Sequence, residues 1–278
     1  AYALIYRSYY ALIKNPRINS KGFNTSAVMG FVNTLNEIMT KEQPTHIAVA
    51  FDHGKTFRDE AFPQYKAQRE ETPEDIRRSV PVIKDIIAAM HIPAVQADGF
   101  EADDVIGTLA TKAGAEGVET YMLTPDKDYG QLVRDNVFIF RPRHGGGYEK
   151  MGPEEVCAKY AIDSPLRVID LLALMGDSAD NFPGCPGVGE KTAAKLIDQF
   201  GDVENMLSHT ADIKGKLREK VEAAVDDIRM SKFLATIRTD VPIELDLDSM
   251  KLAEPDEQKL REIFNELEFK TLADKLLN

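Results

Sequence analysis

The sequence predicts an α/β fold, a parallel sheet flanked by helices, followed by a helical module. Two observations predict it. Up to Val137–Phe140, short apolar runs alternate with amphipathic helical segments, the pattern of a parallel sheet crossed over by helices. From Gly152 onward helical periodicity takes over, which sets a boundary near Asp163 between an α/β half (1–163) and a helical half (164–278). No internal repeat, low-complexity tract or disordered linker interrupts either half.

In order, Ala1–Ala11 begins as a helix whose lead-in is missing, and Asn15–Asn24 is a polar turn with Pro16 and Gly22. Thr25–Glu42 is a helix, because Val28, Phe31, Val32, Leu35, Ile38 and Met39 recur at helical spacing before Pro44. His46–Phe51 is a buried strand that delivers Asp52. Thr72-Pro73-Glu74-Asp75 signals a helix start, Ile76, Val80, Ile83, Ile87 and Met90 give that helix a buried stripe, and Pro81 kinks or divides it. Ile92–Gln96 is a second strand. Glu101–Gly117 is a helix closed by Gly117. Glu119–Leu123 is a third strand, delivering Asp126 and Asp128, and Val137–Phe140 is a fourth. The helical half reads Glu154–Tyr160, Leu166–Met175, Glu190–Phe200, Leu217–Ile228 and Asp256–Glu268, with Thr239–Leu247 extended.

Composition narrows the function. The chain has 278 residues, is 43% hydrophobic and carries a net charge of −12. It has no apolar run near the ~20 residues that span a membrane and no signal-peptide pattern. Its two cysteines, Cys157 and Cys185, supply neither a disulfide framework nor a zinc spacing. A cytoplasmic location is the expectation. The acidic balance argues against a passive nucleic-acid coater but not against a protein whose carboxylates hold Mg²⁺, a cation that prefers hard oxygen ligands.

Four acidic groups are candidates for one site: Asp52; Glu101, Asp103 and Asp104; Asp126 and Asp128; Asp177 and Asp180. Singly, each has an ordinary structural explanation, such as helix-dipole complementation or turn capping. Jointly they cannot stay ionised without cations. Two divalent ions about 4 Å apart would resolve the crowding and cleave phosphodiesters. The stretch Gly184-Cys185-Pro186-Gly187-Val188-Gly189-Glu190-Lys191-Thr192 opens a helix and could bind phosphate through its N–H groups. It does not meet G-x-x-x-x-G-K-[ST], since Glu190 separates Gly189 from Lys191 and no strand precedes it.

Phe51-Asp52 with Thr56-Phe57-Arg58, Tyr65-Lys66 with Arg69, Glu101 to Gly107, Asp126-Lys127-Asp128, and Gly176 to Asn181 followed by Gly187 to Ala193 occur in that order. In this the chain resembles the 5′-nuclease (flap endonuclease) family, most of all the 5′–3′ exonuclease domains of bacterial DNA polymerase I, over essentially its whole length. The resemblance implies a PIN-like sheet with a helical arch at about 60–90, then a helix–three-turn–helix DNA-binding module. It implies a monomeric Mg²⁺-dependent nuclease of replication and repair, cutting 5′ flaps or frayed 5′ ends, with Mn²⁺ as a substitute ion and a polymerase domain beyond Asn278. It assigns Asp52, Glu101, Asp103 and Asp126 to one metal, Asp128, Asp177 and Asp180 to the other, and Asp104 to a contact through water. Gly187, Gly189, Lys191 and Thr192 match the loop that grips duplex phosphates, with K⁺ in relatives. Lys66 and Arg69 match a basic pair that reaches the scissile phosphate; Arg7, Arg58 and Tyr65 match positions near the bound strand.

The resemblance also expects an Asp-bearing strand just before the position of Ala1, so the sequence reads as a fragment or as a site short of one ligand. Two rival readings follow from the residues: a DNA-junction binder with impaired cleavage, and a phosphatase using Asp126-Lys127-Asp128. The phosphatase pattern D-x-D-x-[TV] fails at Gly130.

Overall fold

The helix expected at the start of the chain is there: in the computed structural model, which describes residues 1–277, α1 spans Tyr2–Ala11. It is followed by α2 (Ser26–Lys41), β1 (Val49–Ala50), α3 (Phe57–Ala61), α4 (Glu74–Ala89), β2 (Ala94–Val95), α5 (Ala102–Ala115) and β3 (Thr120–Leu123). A 3₁₀ turn (Lys127–Leu132) leads to β4 (Val137–Pro142) and β5 (Tyr148–Met151). The helical part comprises α6 (Pro153–Tyr160), α7 (Arg167–Met175), α8 (Glu190–Phe200), α9 (Val203–Ser208), α10 (Gly215–Ala223), α11 (Val225–Ala235), α12 (Leu247–Met250), α13 (Glu257–Leu267) and α14 (Lys270–Leu277). Among the described residues no helix is long and apolar enough to cross a membrane.

Two compact units arise from this order, and neither is continuous in sequence. The first holds Ala1–Asp52, Glu71–Gln96 and the chain from Glu244 on. Its core packs Ile5, Val28, Phe31, Ile83, Ile87 and Phe264 from α1, α2, α4 and α13. β1 and β2 pair in parallel, Val49 with Ala94 and Ala50 with Val95. Both strands are shorter than the apolar runs around them. The Ala1 amino group donates to the Ala50 carbonyl at 2.7 Å. Pro81 lies inside α4 without dividing it. Proline removes one N–H from the ladder and frees the carbonyl four residues back; both Pro81 and Arg77 face solvent, where water can take that carbonyl.

The second unit holds His53–Glu70 and Ala97–Ile243. β3 and β4 pair in parallel over Thr120–Leu123 and Val137–Phe140, as the alternation predicts. β5 adds an antiparallel edge, Ile139 opposite Met151 and Pro142 opposite Tyr148. α7 is buried along Leu171, Leu172, Ala173 and Leu174, and Val137, Val156, Ile197 and Ile228 join the same core. The expected helix over Leu217–Ile228 is broken at Ala224 into α10 and α11, and Thr239–Leu247 pairs with no strand.

Phe264 is fully buried and its ring meets Phe269 at 6.1 Å between centroids. Phe264→Ala leaves a cavity in the first unit's core. It is expected to lower stability by about 3–5 kcal/mol, read as a fall in the urea midpoint of unfolding.

Candidate metal centre

The carboxylates of the second unit are placed by three pieces of local structure. β3 ends at Leu123 and hands the chain to Thr124, whose hydroxyl accepts from the Asp126 N–H at 3.0 Å. Asp126 then caps the 3₁₀ turn, its Oδ1 accepting from the Asp128 N–H at 2.9 Å. Two side chains at a strand end are thereby fixed on one short turn. The second piece is the loop after α7. Asp177 and Phe182 exchange backbone hydrogen bonds of 3.1 and 2.8 Å, and Asp177 Oδ1 accepts from the Ala179 N–H at 2.8 Å. This fold-back needs Gly176 (φ +68°) and Gly184 (φ +62°). A Cβ on Gly176 would lie 2.6 Å from the Phe182 carbonyl oxygen, and one on Gly184 would lie 2.4 Å from the Gly176 nitrogen.

Together these turns bring one carboxylate oxygen each from Asp128, Asp177 and Asp180 within 4.8 Å of one another. Asp128 is 8% exposed, and its Oδ1 is buried with no hydrogen-bond partner among the described residues. An all-oxygen donor set with one unpartnered buried oxygen fits a hard divalent cation. Burial, and then the charges of Asp126, Asp177 and Asp180, push Asp128 well above the ordinary carboxylate range. Burial also raises Asp126, with Asp177 adding to it, and raises Asp180 against the opposing pull of Lys66 and Arg69.

The third piece is the N-terminus of α5, where a different electrostatic solution operates. Arg58, on α3, is 2% exposed and uses every N–H of its guanidinium. Nε donates to the Leu234 carbonyl at 2.8 Å, Nη2 to the Thr236 carbonyl at 2.7 Å and to Asp104 Oδ1 at 2.9 Å, and Nη1 to Asp104 Oδ2 at 2.7 Å and to Glu101. Asp104 is fully buried and also accepts from the N–H groups of Glu101 (3.1 Å) and Arg238 (2.8 Å). Glu101 accepts in addition from the Tyr65 hydroxyl at 2.8 Å and Lys66 Nζ at 2.7 Å. Burial alone would raise Glu101, but Lys66 and Arg58 hold it below the usual range.

The sequence reading assigned several of these residues otherwise. Arg58, expected near a bound strand, is an interior ion-pair partner that no phosphate can reach. Tyr65, expected there too, is 7% exposed with its ring stacked on Phe182 at 6.1 Å. Asp104, expected to reach a metal through water, has its oxygens filled by four protein N–H donors. Lys66 and Arg69 do lie beside the acids. The Lys66 N–H donates to the Asp180 carbonyl at 3.1 Å, and Arg69 pairs with the Asp180 carboxylate and donates to the Ala179 carbonyl at 3.2 Å. Asp103 receives the Tyr129 hydroxyl at 2.5 Å; burial and the Glu101 charge nonetheless push it up to about 7. Gly187, Gly189 and Lys191 are exposed and Thr192 half-buried at the start of α8, whose N-cap is Gly189. Asp52 and Arg7 lie in the first unit, both exposed, Asp52 just past β1 and Arg7 on α1.

Tyr129, as donor to Asp103, and Lys220, whose Nζ would be 2.9 Å from a Cβ on Gly187, carry no signal in the linear sequence. Both become visible only when the 3₁₀ turn and α10 are in place.

Two family models match the chain: a 5′–3′ exonuclease N-terminal resolvase-like domain over residues 1–161, and a 5′–3′ exonuclease C-terminal SAM fold over 163–258. DNA polymerase I of Bacillus caldotenax is 43% identical over 278 residues, covering 99% of this chain and 31% of the relative. DNA polymerase I of Mycobacterium tuberculosis is 37% identical, with the same coverage. The chain therefore spans about a third of the length of these relatives. Among solved structures, the T5 D15 protein co-crystallised with metal ions superposes with a TM-score of 0.73 at 19% identity, covering 96% of this chain and 97% of that one. The catalytic core of Rad2 in complex with DNA substrate gives 0.66 at 17% identity, covering 99% and 89%. These likenesses establish the shared fold.

Two outcomes follow from the charge distribution. Arg58→Leu strands Asp104 as a buried, uncompensated charge, Glu101 keeping Lys66, and should cost about 3–5 kcal/mol of stability in chemical denaturation. The second concerns pH. Asp103, Asp126, Asp128 and Asp180 have folded-state pKa values above their unfolded values, so the folded state binds more protons between the two. Stability of the protein in EDTA should therefore rise as pH falls from about 8 through 7 toward 5. Glu101 has the opposite sign, and its contribution is lost once pH drops below its ordinary value of 4.5. Thermal melts carried from pH 8 to below the ordinary Glu value of 4.5 check both limbs; a flat profile between pH 8 and 5 would contradict the crowding.

Proposed function

The chain belongs to the 5′–3′ exonuclease family, and on that premise we propose that it is a structure-specific 5′-nuclease hydrolysing phosphodiesters of 5′-flap or frayed duplex DNA in replication and repair. The observation that carries the reading is the meeting of Asp128, Asp177 and Asp180 oxygens within 4.8 Å, next to Asp126 and beneath the cations Lys66 and Arg69. Asp128, Asp177 and Asp180 would hold one Mg²⁺, with Asp103 and Asp126 available to a second. Bound divalent cations supply Lewis acidity at the scissile phosphate.

The chain's own residues do the rest. Lys66 and Arg69 lie where cations can offset charge growing on the phosphate in the transition state. Gly187, Gly189, Lys191 and Thr192 present backbone N–H groups and one ammonium at the start of α8, suited to a duplex phosphate and, through carbonyls of the same loop, to K⁺. Glu101 and Asp104 orient the N-terminus of α5 through Arg58. By likeness to the polymerase relatives, the chain works beside a polymerase domain, in the cytoplasm.

A labelled 5′-flap duplex tests the reading. Cleavage is expected with Mg²⁺ and none with EDTA. Asp128→Asn and Asp180→Asn should each lower the single-turnover rate by about 100-fold or more, the scale lost with one charge-stabilising group, while flap binding persists. Lys191→Ala should weaken binding and flatten its salt slope by about 0.9. Cleavage that survives EDTA, or a rate untouched in both Asp variants, would overturn the assignment. Mg²⁺ should also raise the melting temperature more at pH 8 than at pH 5, because its ligands are already protonated at the lower pH.

A further inference from the structure

Three cations from three elements line one cleft in the second unit: Lys127 on the 3₁₀ turn, Arg141 near the end of β4, and Lys159 in the last turn of α6. Asp126 and Tyr160 share its lining. The enclosed volume is about 10 Å³, room for at most one water, so any larger anion must sit at the mouth. Lys127 and Lys159 are exposed there and Arg141 is half-buried.

Among the described residues no carboxylate lies within 4.0 Å of any of the three cations. Some other basic side chains of the unit are paired, as Arg167 with Asp170 and Arg238 with Asp240. Burial, then the charges of Arg141 and Lys127, hold the Lys159 ammonium below its ordinary range; Glu149 and Glu190 oppose this from beyond pairing distance. Three like charges meet here, opposed only by carboxylates beyond pairing distance, Asp126 and Asp128 near Lys127 and Glu149 and Glu190 near Lys159; in a chain of net charge −12 that local excess points to an anionic partner. The cleft adjoins the carboxylates: burial and then the Asp128 charge push the Tyr160 phenol up to about 12. Beyond Arg141 the positive surface continues along the β4–β5 connection through exposed Arg143.

We propose that Lys127, Arg141 and Lys159 form a phosphate subsite that holds the backbone of the substrate DNA strand beside the metal-binding acids. The inference rests on the nuclease reading. The shared chemistry is a phosphate oxyanion, which a mononucleotide product or free phosphate also offers. A string of cations spaced over three elements and continuing along a hairpin matches the repeating charge of a DNA chain better than a single dianion.

The test uses Arg141→Gln/Lys159→Gln, which leaves Lys127 and the acids intact, with Arg141→Gln and Lys159→Gln singly as controls on folding. Flap-DNA affinity is measured from 50 to 300 mM KCl in EDTA. The slope of log K against log salt should fall by about 1.4 to 1.8 in the double variant, two contacts at about 0.7 to 0.9 each. The melting temperature should stay at the parental value. An unchanged slope overturns the subsite and leaves the nuclease reading standing. A parent chain that binds no flap DNA overturns both. If dTMP or inorganic phosphate displaces DNA from the parent at a concentration that leaves the double variant bound, the site takes a free phosphate and the backbone assignment falls.

Discussion

Carboxylates buried close together repel one another, and the second unit is built around that constraint. It handles its acids in two ways. Glu101 and Asp104 are paired with Arg58, and Glu101 with Lys66 as well; the five N–H groups of Arg58 tie α3 to the start of α5 and to the carbonyls of Leu234 and Thr236. A guanidinium with its donors filled in a fixed fork is the one side chain suited to that place, since it stays charged at any pH and matches a carboxylate edge to edge. Asp103, Asp126 and Asp128 receive no such partner, and burial raises all three. The first group has its counter-charges within the protein; the second does not, which supports the proposal that it takes cations.

That division was only half legible in the sequence. Asp126 and Asp128 follow an apolar run, and Asp177 and Asp180 precede a glycine-rich turn, so their grouping could be read from position and residue type. The fate of Arg58 could not. A guanidinium binds a phosphate and a carboxylate by the same two-pronged geometry, so the linear context gives no way to choose between them. The choice is made by packing, which buries Arg58 against residues 43 and 46 positions away. The same holds for Tyr65, an aromatic suited to a nucleobase that instead packs on Phe182.

Elements failed to read for equally local reasons. β5 is short and alternates Tyr-Glu-Lys-Met, which carries little apolar signal, and it pairs only because the three glycines at 145–147 turn the chain back. The break between α10 and α11 has neither proline nor glycine to announce it; Ala224 leaves helical geometry (φ −107°, ψ 15°) where the two helices enter the core separately through Val221 and Ile228. His46–Phe51 is mostly apolar, yet only Val49 and Ala50 pair along a strand, with His46 in a single bridge to Lys251. Apolar runs report burial, and burial needs no ladder.

The open acids are nonetheless not loose. Asp126 commits Oδ1 to the Asp128 N–H, Asp177 commits Oδ1 to the Ala179 N–H, and Asp180 commits Oδ1 to Arg69. In each case one oxygen is anchored by the protein, which restricts the carboxylate. Asp128 shows the complementary arrangement, with a buried Oδ1 that no described group satisfies. Side chains held by one oxygen lose little further freedom when the other is engaged, so less of a cation's binding free energy goes into ordering its ligands. Arg69 and a cation draw on the same Asp180 carboxylate. On the proposed reading, a metal held by that carboxylate would weaken its hold on the guanidinium, so the acid of the loop and the base beside it are coupled through a single side chain.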